Sequence, residues 1–219
     1  MRITIDGPAG SGKSTVAKEV SKRLGIPYLN TGLVYRAFAY VCMQEGLEDE
    51  RDILRLFERP PHVVPQVGET LVYYQGKEIS PLLSSEDVGR VASIIASYPS
   101  FRERINEFFR SLMNHKQFVA EGRDAGSFIF PDADIKFFIT ASVEERAMRR
   151  YKQLKAQGIE ITYEDVLRAL VERDERDKNR PLYPFLPPKD AIVIDTTNLS
   201  VEEVVERVLS QLREYNRKL

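Results

Sequence analysis

The chain has 219 residues and a formal net charge of −1, with apolar and charged fractions of 42% and 30%. These values exclude a disordered chain and a strongly basic nucleic-acid coat protein, and the length favours one domain with insertions. The single cysteine, Cys42, excludes an intrachain disulfide and a four-cysteine zinc site. The N-terminus has no signal-peptide pattern and no apolar stretch reaches about 18 residues, so we expect a cytoplasmic protein without nucleic-acid or membrane partners.

Short apolar segments alternate with helical patterns along the chain. The apolar segments predict strands at 2–6, 118–122, 135–140 and 191–195. The helical patterns cover 16–24, 143–154 and 201–215. Ser142 and Ser200 precede the last two helical patterns and can cap their free amides. Strands that alternate with helices predict an α/β fold with a parallel sheet.

Two regions depart from this alternation. Residues 27–29 predict a short strand that ends at Asn30 and places residues 30–32, NTG, as a loop at the carboxyl edge of the sheet, where ligands bind in such folds. Residues 60–81 contain three β-type segments with a tight turn at 75–77. We interpret them as an inserted antiparallel meander.

Two helical pairs are predicted in the remainder of the chain. Residues 84–112 divide into two helices at Pro99, because proline suits the first turn of a helix and disfavours its interior. A second pair lies between Ser142 and Arg180, and the four prolines of segment 180–188 then end the regular structure.

Residues 7–14, GPAGSGKS, match the phosphate-binding pattern G-x-x-x-x-G-K-[ST]. They follow the first predicted strand and precede a helix, which is the order that this motif requires. The glycines let backbone amides point at phosphate oxygens, Lys13 can bridge the outer phosphates, and Ser14 can ligate Mg²⁺. The segment therefore predicts a P-loop that binds a nucleoside triphosphate.

A P-loop alone is compatible with switch GTPases, ATP-driven motors and small-molecule kinases. The chain contains no N-K-x-D tetrapeptide, which a GTPase uses to read guanine. It also lacks the greater length and the apolar strand with a terminal Asp-Glu pair that are typical of motors. A small-molecule kinase is favoured.

Charged residues also occur where sheet edges and the second helical pair are expected. They are Arg36, Arg123, Asp124 and the run 172–180, ERDERDKNR. On a helix, Arg173, Asp177 and Arg180 share one face because they are spaced at i, i+4 and i+7. A solvated face with ion pairs is the ordinary explanation of such a run. It does not explain why the run adjoins a proline-stopped helix in a P-loop protein.

Six sequence blocks carry a resemblance to a known family. They are IDGPAGSGKST, NTGLVYR, VASIIASYPSFR, AEGRDAG, FPDADIKFFITAS with EERAMRR, and ERDERDKNRP. Together they resemble the bacterial-type cytidylate kinases, a part of the nucleoside monophosphate kinase group of P-loop proteins. The resemblance covers nearly the whole chain.

The resemblance implies transfer of the γ-phosphoryl group of ATP to CMP or dCMP, with Mg²⁺ as the metal and small molecules as the partners of a monomer. It also implies a five-stranded parallel sheet wrapped by helices in a single domain, 1–219. Within that domain it implies a monophosphate-binding arm at about 36–100, with a three-stranded insertion at about 60–85, and a lid at about 142–180.

The motif and the resemblance also assign site residues. The ATP-binding set is Gly7, Pro8, Ala9, Gly10, Ser11, Gly12, Lys13, Ser14, Thr15, Arg146 and Arg150, with Arg149 as an alternative lid contact. The acceptor set is Thr31, Tyr35, Arg36, Ser93, Arg102, Arg123, Asp124, Arg173, Asp177 and Arg180. The resemblance implies that Arg36, Arg123 and Arg180 gather the acceptor phosphate. It implies that Ser93, Arg102 and Asp124 read the base, and that Arg173 and Asp177 hold the ribose or the phosphate. The catalytic set is Lys13, Arg123 and Arg180, and Ser14 is the predicted Mg²⁺ ligand.

These residue types suit phosphoryl transfer, in which the protein contributes positioning and charge neutralisation. The second pKa of a phosphate monoester is about 6, so the acceptor is already a dianion near neutrality and needs no general base. A carboxylate such as Asp124 accepts a hydrogen bond from the amino group of cytosine but faces a lone pair on uracil. We therefore expect cytidine to be preferred over uridine.

Two alternatives stay open. One is another small-metabolite P-loop kinase, with UMP, AMP, shikimate or dephospho-coenzyme A as the acceptor. The other is a nucleotide-dependent interaction module, in which ATP changes the conformation of the lid without turnover. Acceptor-dependent release of ADP distinguishes all three.

Overall fold

The computed structural model describes residues 1–180 and 182–217. The strands in these ranges are β1 Arg2–Asp6, β2 Pro27–Asn30, β3 His62–Val67, β4 Glu69–Tyr74, β5 Lys77–Glu78, β6 Phe118–Gly122, β7 Ile135–Thr140 and β8 Ile192–Asp195. The α-helices are α1 Lys13–Leu24, α2 Thr31–Glu45, α3 Glu50–Arg55, α4 Glu86–Ile95, α5 Pro99–Leu112, α6 Val143–Ala156, α7 Tyr163–Lys178 and α8 Val201–Arg217. The strands form one sheet in the order β5-β4-β3-β2-β6-β1-β7-β8.

The predicted parallel core is confirmed. Strands β2, β6, β1, β7 and β8 pair in parallel. All residues of β6 are buried, as expected for a strand that is covered on both faces. The carboxyl ends of these strands meet at one edge of the sheet, so the segments that follow β1, β2 and β6 lie side by side.

The predicted antiparallel meander is present as β3, β4 and β5, but it is not a separate small sheet. Pro27 and Tyr28 of β2 pair antiparallel with Val67 and Gln66 of β3, so the insertion extends the core sheet. The buried hydroxyl of Thr70 strengthens this junction: it accepts a bond from the amide of Asn30 at 2.9 Å and donates to the carbonyl of Tyr28 at 2.8 Å.

The predicted helix boundaries agree with the capping groups. Pro99 occupies the first turn of α5, and α4 ends four residues earlier. The hydroxyl of Ser142 accepts a bond from the amide of Glu145 at the start of α6. Ser200 and Glu203 cap α8 reciprocally, since each side chain accepts from the backbone amide of the other.

Two local expectations were wrong, and some elements were not predicted. The NTG segment is not a loop, because the side chain of Asn30 caps α2 and Thr31 is already its first residue. Helix α7 ends at Lys178, so Arg180 lies beyond the helix rather than on its face. Pro181, the first of the four prolines expected to end regular structure, lies outside the described residues. Helix α3 and a π-helical turn at Ala125–Ile129 had no counterpart in the sequence analysis.

Apolar cores cover both faces of the sheet because side chains alternate along each strand. Phe118 and Ala120 join the core beneath α2, α4 and α5, whereas Val119 joins the core beneath α1 and α8. Helices α6 and α7 have a small core of their own between them, which contains Ala147 and Leu170. In the described part of the chain, no helix combines the length and apolar character needed to cross a membrane.

Replacing Thr70 with Val should destabilise the junction between the insertion and the core. The change keeps the shape of the side chain but leaves a buried amide and a buried carbonyl without their partner, at a cost of about 1–3 kcal/mol. Urea unfolding measures this cost, and Thr70→Ser, which keeps the hydroxyl, is the matched control. A Val variant that is at least as stable as the Ser variant would contradict the assigned role of the hydroxyl.

Candidate active site

The P-loop connects β1 to α1 in the geometry that phosphate binding requires. Gly12, which precedes α1, has a left-handed φ of 87° and offers no capping side chain, so the first amides of the helix face the loop. Gly7 must lack a Cβ, because that atom would lie 2.0 Å from the carbonyl oxygen of Ile139. The Nζ of Lys13 donates to the carbonyl of Pro8 at 3.3 Å. Burial lowers the pKa of Lys13 to about 8, although the nearby Glu121 opposes this shift.

Glu121, which the sequence analysis did not select, lies beside the P-loop. Its buried carboxylate accepts hydrogen bonds from the hydroxyl of Ser14 at 2.8 Å and from that of Tyr28 at 3.1 Å. Its position near the carboxyl end of a strand next to the P-loop strand was the signal that could have identified it.

The donor set beside the P-loop fits Mg²⁺. The hydroxyl of Ser14 and the carboxylate of Glu121 are hard oxygen donors, and Mg²⁺ usually combines one or two such groups with phosphate oxygens and water. Among the described residues there is no cluster of three or more His, Cys, Asp or Glu side chains that could hold a metal alone. A metal ion at this position would therefore share its ligands with a nucleotide.

The ten residues of the predicted acceptor set line one cavity of about 470 Å³. They come from α2, α4, α5, the segment after β6, and α7 with the residues that follow it. Ala9, Lys13, Ser14 and Arg150 line the same cavity, so the P-loop borders it directly. Glu121 also contributes to its wall.

One end of this cavity is built around Arg102 and Asp124. Their side chains are buried and form an ion pair. The guanidinium of Arg102 lies 5.7 Å from the ring centroid of Tyr35 and 4.7 Å from that of Tyr183. Burial opposes the charge of Arg102, but Asp124 together with Tyr35 and Tyr183 outweighs burial, and the pKa of Arg102 is raised. Ser93 is exposed on α4 and reaches the same cavity.

Further arginines crowd the same cavity. Asp177 forms ion pairs with both Arg123 and Arg180. Burial lowers the pKa of Arg123, and the neighbouring Arg173 and Arg180 lower it further. The pKa of Arg173 is also lowered, first by burial and then by Arg36. These guanidinium groups keep their charge at neutral pH, so the region attracts anions.

A second cavity of about 640 Å³ lies on the other side of the P-loop. The predicted ATP-binding residues that line it are Ala9, Gly10, Ser11, Gly12, Thr15 and Arg150. Arg149 lines it as well, and its guanidinium donates to the carbonyl of Thr196 at 2.7 Å. Arg36, Arg150 and Arg173 line both cavities, so the two meet at these arginines. A groove of about 610 Å³ around Arg59 and Tyr73 contains none of the predicted site residues.

Arg146 lines neither of the two cavities. It is buried behind the P-loop, where it donates to the carbonyl of Ala9 at 3.1 Å and to that of Ala141 at 3.1 Å. It also forms a 2.7 Å ion pair with Asp174 of α7. Gly7 and Pro8 likewise shape the loop without lining a cavity.

Asp6 joins the P-loop strand to the segment that carries Arg123 and Asp124. Its two carboxylate oxygens accept bonds from the amides of Ala125 at 2.9 Å and Gly126 at 2.7 Å. The sequence analysis did not select Asp6, although it immediately precedes the P-loop. Burial is the main reason that the pKa of Asp6 is raised from 3.8 to about 7.

Comparison with known proteins identifies the family. The sequence model of the family described as cytidylate kinase matches residues 3–214. The chain belongs to the cytidylate kinase family. It is 55% identical over 215 residues to the cytidylate kinase of Aquifex aeolicus, covering 98% of this chain and 96% of the relative. It is 41% identical over 217 residues to the cytidylate kinase of Fervidobacterium nodosum, covering 97% and 96%. The resemblance stated from the sequence blocks is thus confirmed.

The fold is also similar to that of a solved protein of remote sequence. The crystal structure of an uncharacterized protein from Eubacterium ventriosum matches with a TM-score of 0.55 at 17% identity, covering 97% of this chain and 98% of that one. At this identity the likeness concerns the fold alone.

Replacing Asp6 with Asn should remove a pH dependence of stability. Asp6 binds its proton more tightly in the folded protein than in the unfolded chain, so its contribution to stability is full below pH 3.8 and is lost as the pH rises through about 7. Relative to the Asn variant, the wild type should lose on the order of a few kcal/mol between pH 4 and 8, since one pKa unit corresponds to about 1.4 kcal/mol. Urea unfolding of both proteins at several pH values measures this difference. A difference that does not change with pH would disprove the perturbed titration.

Proposed function

We propose that the chain transfers the γ-phosphoryl group of ATP to CMP or dCMP, giving ADP and CDP or dCDP. The observation that carries the proposal is the meeting of the two cavities at the P-loop, with a cluster of arginines on the acceptor side. Such an arrangement brings two polyanions together while their charges are neutralised. Membership of the cytidylate kinase family supports the same reaction.

On the donor side, the backbone N–H groups of residues 7–15 other than Pro8, together with the ammonium of Lys13, bind the phosphates of ATP. Ser14 and Glu121 would hold Mg²⁺, which would supply positive charge to the outer phosphates. Arg149 and Arg150 are placed to contact ATP because they line the second cavity. Arg146 acts indirectly: its bond to the carbonyl of Ala9 supports the loop.

On the acceptor side, Arg36, Arg123 and Arg180 bind the monophosphate and orient it toward the γ-phosphate. Thr31 and Tyr35 line the pocket, and Arg173 and Asp177 hold the ribose or the phosphate. No base is needed to activate the acceptor, because a phosphate monoester with a second pKa of about 6 is already nucleophilic. The catalytic contribution of Lys13, Arg123 and Arg180 is charge stabilisation in the transition state.

The base is read at the Arg102–Asp124 end of the cavity. The carboxylate of Asp124 accepts a bond from the amino group of cytosine, and Ser93 and Arg102 contact the remaining polar edge. Uracil has a carbonyl in place of this amino group. The carbonyl oxygen cannot donate a hydrogen bond to the carboxylate, which disfavours UMP.

We also propose that residues 142–180 act as a lid and residues 36–100 as the monophosphate-binding arm. Helices α6 and α7 pack on a small core of their own, which suits movement as a unit. The family resemblance also implies that a monomer is active.

Acceptor profiling tests the proposed reaction. With ATP and Mg²⁺, a coupled assay of ADP release should show turnover with CMP and dCMP, and much less with UMP, AMP, shikimate or dephospho-coenzyme A. Lys13→Ala is the control: turnover should fall at least about 100-fold while CMP binding stays measurable by calorimetry. Preference for another acceptor, or full activity of the Ala variant, would refute the assignment.

Asp124→Asn should reduce the preference for cytidine. An amide can donate to the carbonyl of uracil, so the ratio of kcat/KM for CMP to that for UMP should fall by about ten- to a hundredfold. Steady-state kinetics with both acceptors measure the ratio, and the KM for ATP serves as the internal control. An unchanged ratio would remove Asp124 from base recognition.

A further inference from the structure

Two aromatic side chains that the proposed mechanism does not use stack on two acceptor-site arginines. Tyr183 and Phe185 belong to a short segment after α7, residues 183–185, which we call the aromatic strap. The guanidinium of Arg102 lies 4.7 Å from the ring centroid of Tyr183, and that of Arg123 lies 5.7 Å from the centroid of Phe185. Each ring therefore faces a different arginine of the acceptor cavity.

The strap is fixed to both the lid helix and the body of the protein. The amide of Phe185 donates to the carbonyl of Asp177 in α7 at 3.0 Å. The ring of Phe185 packs on Phe138 of β7, with centroids 5.5 Å apart. The ring of Tyr183 meets Phe128 edge to face, with centroids 5.0 Å apart and an interplanar angle of 88°. These contacts hold the rings in place from behind.

Arg102 depends on such support because it has few polar partners. Its Nε is buried and has no hydrogen-bond partner within the described ranges, so the Asp124 carboxylate is its polar anchor. The rings of Tyr35 and Tyr183 both lie against its guanidinium, and a buried cation gains more from aromatic faces than an exposed one. The orientation of the Arg102–Asp124 pair is thus set by stacking as well as by charge.

The backbone of Tyr183 supports a specific role for this ring. Its φ of 59° lies in the left-handed region, which is unfavourable for a residue that carries a Cβ. Such conformations persist where the surrounding contacts impose them, and they concentrate at functional sites. Here the strained backbone turns a ring toward Arg102.

We propose that Tyr183 is a positioning residue for acceptor recognition: its ring holds the Arg102–Asp124 pair in the orientation that reads the base and links that pair to the end of the lid helix. This inference rests on the proposed function, in which Arg102 and Asp124 contact the acceptor base. Phe185 supports Arg123 in the same way, and so acts on the phosphate rather than on the base.

The test compares Tyr183→Asn with Tyr183→Phe. Asn removes the ring but tolerates the left-handed backbone, so a defect cannot be attributed to lost backbone geometry. We expect the KM for CMP to rise about three- to thirtyfold in the Asn variant, as loss of a buried cation–π contact predicts, and the CMP:UMP ratio of kcat/KM to fall. The KM for ATP should not change. The Phe variant keeps the ring and should restore the wild-type KM for CMP.

Phe185→Leu is the matched comparison within the strap. Because its ring supports the arginine that faces the phosphate, the KM for CMP and that for UMP should rise by the same factor, and the CMP:UMP ratio should stay constant. A general loosening of the segment would instead change this ratio equally in the Asn and Leu variants, which would overturn the separate role of Tyr183.

A second readout makes the inference independent of the reaction. In ¹⁵N NMR spectra, the Nε–H resonance of Arg102 should carry a ring-current shift that is lost in Tyr183→Asn and kept in Tyr183→Phe. If the wild type does not use CMP, acceptor profiling shows that the proposed function is wrong, while this resonance still decides whether Tyr183 holds Arg102. A wild-type KM for CMP in the Asn variant, or a resonance that does not move, would overturn the inference.

Discussion

The Asp177 carboxylate lies between Arg123 and Arg180, and the arrangement of the proposed acceptor site depends on this contact. Arg123 follows a core strand, whereas Asp177 belongs to α7 and Arg180 follows it, so one carboxylate joins the sheet edge to the second helical pair. Buried charges are tolerated only when they are paired, and removing one partner of such a pair typically costs about 3–5 kcal/mol. The arginines can be concentrated in one cavity because α7 brings a negative charge with them.

The carboxylate of Asp177 neutralises only part of the positive charge of the arginines, and the excess charge favours binding of an anion. Arg36 and Arg173 border the same cavity, so the guanidinium groups outnumber the carboxylate that pairs with them. Burial and the repulsion between the arginines lower the pKa of Arg36, Arg123 and Arg173. A bound phosphate dianion would relieve this repulsion, because it would supply negative charge where the protein does not. In the proposed function, the repulsion between the arginines would therefore favour binding of the acceptor phosphate.

The sequence predicted the parts of the site that depend on motifs and strand ends. The P-loop and the segment after β6 were found because a strand's carboxyl end fixes where the next residues lie. The sequence did not predict where the side chain of Arg146 points. It turns back to Ala9 and Asp174, and this direction depends on the rotation of α6 about its axis. Asp6, Glu121 and Tyr183 were missed because their partners lie far away in sequence: Asp6 bonds to residues 125 and 126, and Glu121 to Ser14. Such contacts become visible only when the sheet order is known.

These contacts divide the site into a rigid part and an adjustable part. Asp6 bonds the end of the P-loop strand to the turn after β6, so the distance between the P-loop and the Arg102–Asp124 pair is set within the sheet. Helices α6 and α7, by contrast, keep a small apolar core of their own and contact the P-loop and the sheet edge through charged side chains, namely Arg146, Arg149 and Asp177. Charge contacts can be exchanged for phosphate contacts at little cost in apolar burial, whereas the sheet cannot change without losing its core. We therefore expect the sheet to fix the relative position of the P-loop and the Arg102–Asp124 pair, and the charge contacts of α6 and α7 to be the adjustable part.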